Sequence, residues 1–256
     1  MCSQYNDNMT MYAFSFAPIE GGTGMFGIRR ISEIDTTKNL DSIERAVYEA
    51  LKPHGFKKYG HTLHRFVSED ISHVVNFQTG QAYRGETHLL YVNVGIRVPE
   101  CMNHNFASEK PLKKYYHEYE CNIRSRLGEV KSEMESCYDL RKPADSLIPD
   151  ILEQIQEYVL PVFDALNSRD AILEKRRDYP YFDTMNNHLI LLEEAMIYGR
   201  RDDLSKAGEL FNQYYNLFAS GELAQKDRNA IQNHLAYLRK LAQKLAIHIF
   251  DDETTI

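Results

Sequence analysis

His88-Leu89-Leu90-Tyr91-Val92-Asn93-Val94-Gly95-Ile96-Arg97-Val98 is the clearest strand signal in the chain. Leu90, Val92, Val94, Ile96 and Val98 fall on one side of an extended backbone, and Leu89, Tyr91, Asn93, Gly95 and Arg97 fall on the other. Burying five aliphatic side chains, at about 1.5–3 kcal/mol each, is enough to fix the register, because a slip of one residue would turn all of them to solvent.

Working outward, the segment before this strand reads as a helix and then a hairpin. Asp35-Thr36-Thr37 offers N-cap oxygens just ahead of Leu40, Ile43, Val47 and Leu51, whose spacing makes one apolar helical face. Pro53 and Gly55 end that helix. Residues Phe56–Tyr59, then Leu63, Phe66 and Val67, then Ile71–Gln78 predict a β-hairpin. A fourth strand is expected around Cys121–Val130, where Ile123, Ser125 and Leu127 alternate with Arg124 and Arg126.

Beyond Pro143 the apolar period changes from two to about 3.6 residues and stays there. Ile148, Ile151, Leu152, Ile155, Val159, Val162, Phe163 and Leu166 form one stripe that Pro161 must kink or break. Leu189–Phe218 predicts a helical hairpin, with Gly199 as a C-cap signal and Asp202 or Asp203 starting the second helix. It resembles one tetratricopeptide-type unit, but a repeat array needs about three. A last helix carries Ala224, Ile231, Leu235, Leu238, Ala242, Leu245 and Ile249 on one face. The expected division is an N-terminal extension or loop over 1–35, a sheet domain over 36–142, and a helical region over 143–256 packed on or beside the sheet. Met25 is a second candidate start.

The familiar chemical motifs fail on context. Gly22-Thr23-Gly24-Met25-Phe26-Gly27 matches G-x-G-x-x-G, but no βαβ unit follows, so it reads as a loop. His61, His64 and His73 fall in the hairpin without the three or four converging ligands that zinc needs. They read as solvated sheet histidines, with His64 and His73 able to share a face. Cys2, Cys101, Cys121 and Cys137 show no C-x-x-C pair and read as reduced thiols. The adjacent acids Glu193-Glu194, Asp202-Asp203 and Asp251-Asp252 read as solvated or as helix-end charges. No cofactor and no metal is expected.

The 256 residues carry 30 basic and 37 acidic side chains, and residues 150–256 hold 12 of the former and 18 of the latter. An acidic surface repels phosphate backbones and attracts basic partners. Nucleic acid is therefore a poor candidate and a basic protein a better one. No stretch approaches the roughly 18–20 consecutive apolar residues that a membrane span needs. A cytoplasmic location is the expectation, and the oligomeric state stays open.

The remaining candidate is the polar side of the sheet. Asn76 and Gln78, then Tyr91, Asn93 and Arg97, then Arg124 and Arg126 would form one patch if their strands are neighbours. Amides, a phenol and guanidinium groups donate directed hydrogen bonds but titrate far from neutral pH, which suits recognition better than bond cleavage.

The succession Leu51-Lys52-Pro53-His54-Gly55-Phe56-Lys57-Lys58-Tyr59-Gly60, His73-Val74-Val75-Asn76-Phe77-Gln78, Tyr91-Val92-Asn93-Val94-Gly95-Ile96 and Cys121-Asn122-Ile123-Arg124-Ser125-Arg126-Leu127-Gly128 resembles the bacterial domain-of-unknown-function family 4304. The stretch Ile151–Leu173, with Val159-Leu160-Pro161-Val162-Phe163, resembles that family's continuation, so the likeness spans roughly residues 37–215. It implies an α+β domain with a helical tail and brings no catalytic set. Some related small bacterial domains occur as immunity proteins beside toxins, which is an analogy only.

Together these readings predict an α+β protein: an antiparallel sheet of about four strands with an N-terminal helix packed on it, followed by a C-terminal helical bundle. The expected function is non-enzymatic protein interaction, with toxin neutralisation as its narrower form. The alternative is an enzyme or ligand-binding domain that holds an anionic small molecule or nucleotide through Arg97, Arg124 and Arg126.

Overall fold

The computed structural model describes residues 35–68, 70–80, 88–107, 111–131, 137–182, 189–220 and 228–250. Residues 35–256 form one compact unit, distinct from residues 1–34. The expected extension over 1–35, its glycine motif and Met25 therefore lie almost wholly outside the described residues, as do Cys2, Ala224 and Asp251-Asp252.

Helix α1 (Thr36–Leu51) starts where Asp35 accepts a hydrogen bond from the Lys38 backbone N–H at 3.2 Å, and it buries Leu40, Ile43, Val47 and Leu51. A short 3₁₀ turn through Pro53 then reverses at Gly55, whose φ is 86°. The sheet follows: β1 (Lys57–Tyr59), β2 (Thr62–Ser68), β3 (Ile71–Gly80), β4 (Leu89–Arg97), β5 (Ile123–Arg126) and the two-residue β6 (Tyr138–Asp139). The main path runs β1-β2-β3-β4-β5, antiparallel throughout, with β6 pairing on β4 beside Leu89 and Leu90. The sheet thus has six strands rather than about four. β1 and β6 are too short for alternation to reveal them.

The aliphatic row of β4 is core, as its alternation requires: Leu90, Val92, Val94 and Ile96 are at most 1% exposed. With Leu63, Val75, Phe77 and Ile123 they join one apolar cluster with α1, α3 (Ala144–Gln154) and α4 (Leu160–Ala165). Pro161 does not break the stripe. A π turn at Ile155–Val159 absorbs it, with the Leu160 N–H bonding Ile155 O, and Ile155, Val159, Val162 and Phe163 all stay buried.

The remaining helices are α2 (Pro99–Asn103), α5 (Arg169–Lys175), α6 (Ile190–Arg200), α7 (Leu204–Ala219) and α8 (Arg228–Lys244). Asp203 caps α7, accepting from the Lys206 N–H at 3.0 Å. Gly199 is not the cap expected of it. It lies inside α6, where a Cβ would meet the Phe106 ring at 2.1 Å, so the packed ring explains the glycine, and Asp202 takes the left-handed turn at φ 61°. Helix α8 ends at Lys244, which leaves Ile249 beyond it.

Three side-chain expectations change. His64 pairs opposite Val74, so His64 and His73 lie on opposite faces of the sheet. Neither is solvated: His73 stacks on Phe163 and accepts from Arg65 Nε at 3.1 Å, and His64 is 2% exposed. Glu193 and Glu194 are buried too, paired with Arg176 and Arg177, because the 3₁₀ turn after α5 brings two guanidinium groups against α6.

Candidate recognition face of the sheet

The register aligns the predicted polar residues across three neighbouring strands. Asn76, Asn93 and Arg126 form one row, Gln78 faces Tyr91, Arg124 faces Gly95, and Arg97 faces Ser72. All seven therefore share the side of the sheet opposite the aliphatic core. His64 joins them through its pairing with Val74, and Thr62 joins through Asn76.

A chain segment crosses this face and divides it. Gly95 leaves room for the crossing, since a Cβ there would lie 2.7 Å from Cys121 Cβ. Tyr116, fully buried, inserts over Arg97, with the guanidinium carbon 3.7 Å from the ring centroid. Its ring also approaches His64 at 5.8 Å and the edge of Phe66 at 6.2 Å. Nearby, Tyr115 stacks on Tyr59 at 4.9 Å, and Arg124 donates to Glu118 at 3.3 Å. Burial, together with the Arg97 charge, pushes the His64 imidazole down to about 4, so it is neutral at pH 7. On the other side of the sheet, burial and the Arg65 charge push His73 down to about 3.

The other half of the face stays open. Asn93 is buried, and its Nδ2 donates to Gln78 Oε1 at 2.9 Å. Asn76 Nδ2 donates to Thr62 Oγ1 at 3.0 Å. Arg126 lies over the Tyr91 ring at 4.5 Å. Gln78 is exposed, and Asn76, Tyr91 and Arg126 are partly so. Of the seven predicted residues, then, five reach solvent at least in part, and Asn76, Gln78, Tyr91 and Arg126 do so side by side. Asn93 acts beneath them as a positioning group, Arg97 is covered by Tyr116, and Arg124 is taken up by Glu118.

The three arginines are each engaged by a different group: Arg97 by Tyr116, Arg124 by Glu118 and Arg126 by Tyr91. None of the seven residues lines the cavities at Tyr158–Phe182, at Arg169–Arg201 or between α5, α6 and α7. Among the described residues no group of three or more His, Cys, Asp or Glu side chains is placed to hold a metal ion. No described helix is long and apolar enough to cross a membrane. Cys101 and Cys121 are buried free thiols, both pushed up by burial and so poorly nucleophilic, whereas Cys137 is free and exposed.

Sequence reasoning missed the covering segment. Its signal was the cluster Tyr115-Tyr116-His117-Glu118-Tyr119-Glu120, dense in aromatic rings and without a strand or helix period.

The comparisons with known proteins agree with the resemblance read from the sequence. The family model described as Domain of unknown function (DUF4304) matches residues 47–165, from within α1 to the end of α4. That span takes in the whole sheet, the segment that crosses it and the first helices over its apolar side. It is shorter at both ends than the likeness expected over 37–215. No curated protein and no solved structure matches the chain.

Proposed function

We propose that this protein works by binding another protein, and that the open half of the polar sheet face is its contact surface. The observation that carries this reading is the Arg126–Tyr91 pair beside Gln78, held on paired strands and braced from below by Asn93. Tyrosine and arginine are the residue types that most often dominate binding energy at protein interfaces. Side chains already fixed in place lose little freedom on association. The exposed groups are amides, a phenol and a guanidinium, which donate directed hydrogen bonds.

In its narrower form the reading is a toxin-neutralising role in the cytoplasm. The excess of 18 acidic over 12 basic residues in 150–256 supports a basic target, since complementary charge speeds encounter. Free thiols at Cys101, Cys121 and Cys137 suit a reducing compartment.

A photo-reactive amino acid placed at Gln78, in cells that naturally make the protein, tests the surface. The expected result is a discrete cross-linked adduct that disappears with R126E. An adduct pattern indifferent to R126E, or no adduct at all, overturns the reading.

A further inference from the structure

The π turn and the chain after α5 enclose a second feature, on the other side of the molecule's chemistry: a cavity of about 170 Å³ lined by Glu157, Tyr158, Pro161, Asp178, Tyr179, Tyr181 and Phe182, among others. Its wall is packed and hydrogen-bonded. Phe182 is buried edge-on against Phe163 at 5.7 Å, the Phe182 N–H bonds Tyr179 O at 3.0 Å, and the Tyr181 carbonyl accepts from Ser125 Oγ at 3.2 Å. Tyr181 is 54% exposed and sits at the mouth, while Tyr158 and Tyr179 are half-buried.

The described charged residues that line it are both acidic. Arg176 and Arg177 precede Asp178 and Tyr179 in the chain, but their guanidinium groups are drawn to Glu193 and Glu194 on α6. Among the described residues no lysine or arginine lines the cavity, and its charged lining is Glu157 and Asp178. Aromatic faces carry negative electrostatic potential and attract cations, most strongly where water is partly excluded. Two carboxylates at the rim add to that field. The volume decides what kind of cation fits: sites for drug-sized or nucleotide-sized ligands run to about 300–1,000 Å³, so this one admits a single side chain.

We infer that this cavity receives one lysine side chain of a basic partner protein, with the ammonium among Tyr158, Tyr179 and Tyr181 and near Glu157 and Asp178. The site lies on elements other than the open sheet face, so failure of cross-linking at Gln78 leaves it standing, and its own failure leaves the sheet face standing.

The test is methyl and aromatic NMR on the full chain, titrated with acetyl-Gly-Lys-Gly-amide, with the same peptide carrying norleucine, and with choline. The lysine peptide is expected to shift the Phe182 ring and Val162 methyl resonances saturably, with binding in the millimolar range. The double variant E157Q/D178N, at two exposed positions, is expected to keep the remaining spectrum and weaken that binding about fivefold or more. No shift, equal shifts from the norleucine peptide, or shifts indifferent to E157Q/D178N overturn the inference. Shifts from choline alone overturn it as well, by making the cavity a site for a small free cation.

Discussion

The guanidinium of Arg97 lies 3.7 Å from the centre of the Tyr116 ring, and both side chains are buried, at 2% and 0% exposure. A cation–π contact of this kind is strongest when desolvated. The ring also fills the space between His64, Phe66 and the strand that bears Arg97. Tyr116→Ala removes the ring and leaves a buried charge partly uncovered, so it should destabilise the protein by about 3–5 kcal/mol. Tyr116→Phe loses only the phenol oxygen that accepts from the Lys113 N–H, at about 1 kcal/mol. Urea denaturation of the two variants checks this; equal losses would show that the ring is not what holds the segment down.

Gly95 and Cys121 make a second paired prediction. Gly95→Ala drives a methyl group to within 2.7 Å of Cys121 Cβ and 2.9 Å of its Sγ, and should cost about 1–3 kcal/mol. Adding Cys121→Gly removes both clashing atoms. The double variant should therefore be less destabilised than the sum of the single ones, by a coupling of about 0.5 kcal/mol or more. Strict additivity in a thermal-unfolding cycle would rule the clash out.

The buried histidines set a pH dependence whose sign follows from their surroundings. Folding holds His64 at about 4 and His73 at about 3, against an ordinary value of 6.5. The unfolded chain therefore binds more protons than the native one below pH 6.5. Stability is fully present above that pH and falls as the pH drops through 6 and 5 towards 4 and 3, by at most about 1.4 kcal/mol per pH unit for each histidine. Urea midpoints between pH 7.5 and 5 measure the slope, and His64→Gln should reduce it. A midpoint that stays flat over that range contradicts the assignment.

Arg176 and Glu193 form a buried ion pair at 2.6 Å. Arg176→Met alone strands a carboxylate in the interior and should cost about 3–5 kcal/mol, whereas Arg176→Met with Glu193→Leu should recover most of that loss. Chemical denaturation of both variants decides it; a double variant as unstable as the single one would mean that the pair's geometry, and not the uncompensated charge, matters.

What could be read in advance follows from range. The cap at Asp35, the helix that ends before Gly55 and the two faces of β4 are encoded within a few residues, and the alternation from Leu89 to Arg97 placed Asn93 and Arg97 on the polar side. Burial on that side is set elsewhere in the chain. Nothing near Arg97 announces that Tyr116 will lie on it, and nothing near Glu193 announces Arg176. The face occupied by His73 depends on which β2 residue stands opposite it, Arg65, and the turn between the strands sets that choice. Gly199 looked like a helix stop because Phe106, the ring that requires it, is far away in sequence.

The outer strands decide how another chain could meet this one. β1 is three residues long and exposes Lys57 and Lys58, a poor template for a guest strand. At the other end of the path, Glu129 accepts from the Arg126 N–H, which occupies one main-chain donor of β5, and from the Ser125 hydroxyl. Recognition by β-augmentation, in which a peptide borrows main-chain hydrogen bonds with little regard for its sequence, is thereby discouraged at both margins. Both margins therefore favour contact through side chains over the copy-to-copy addition of strands.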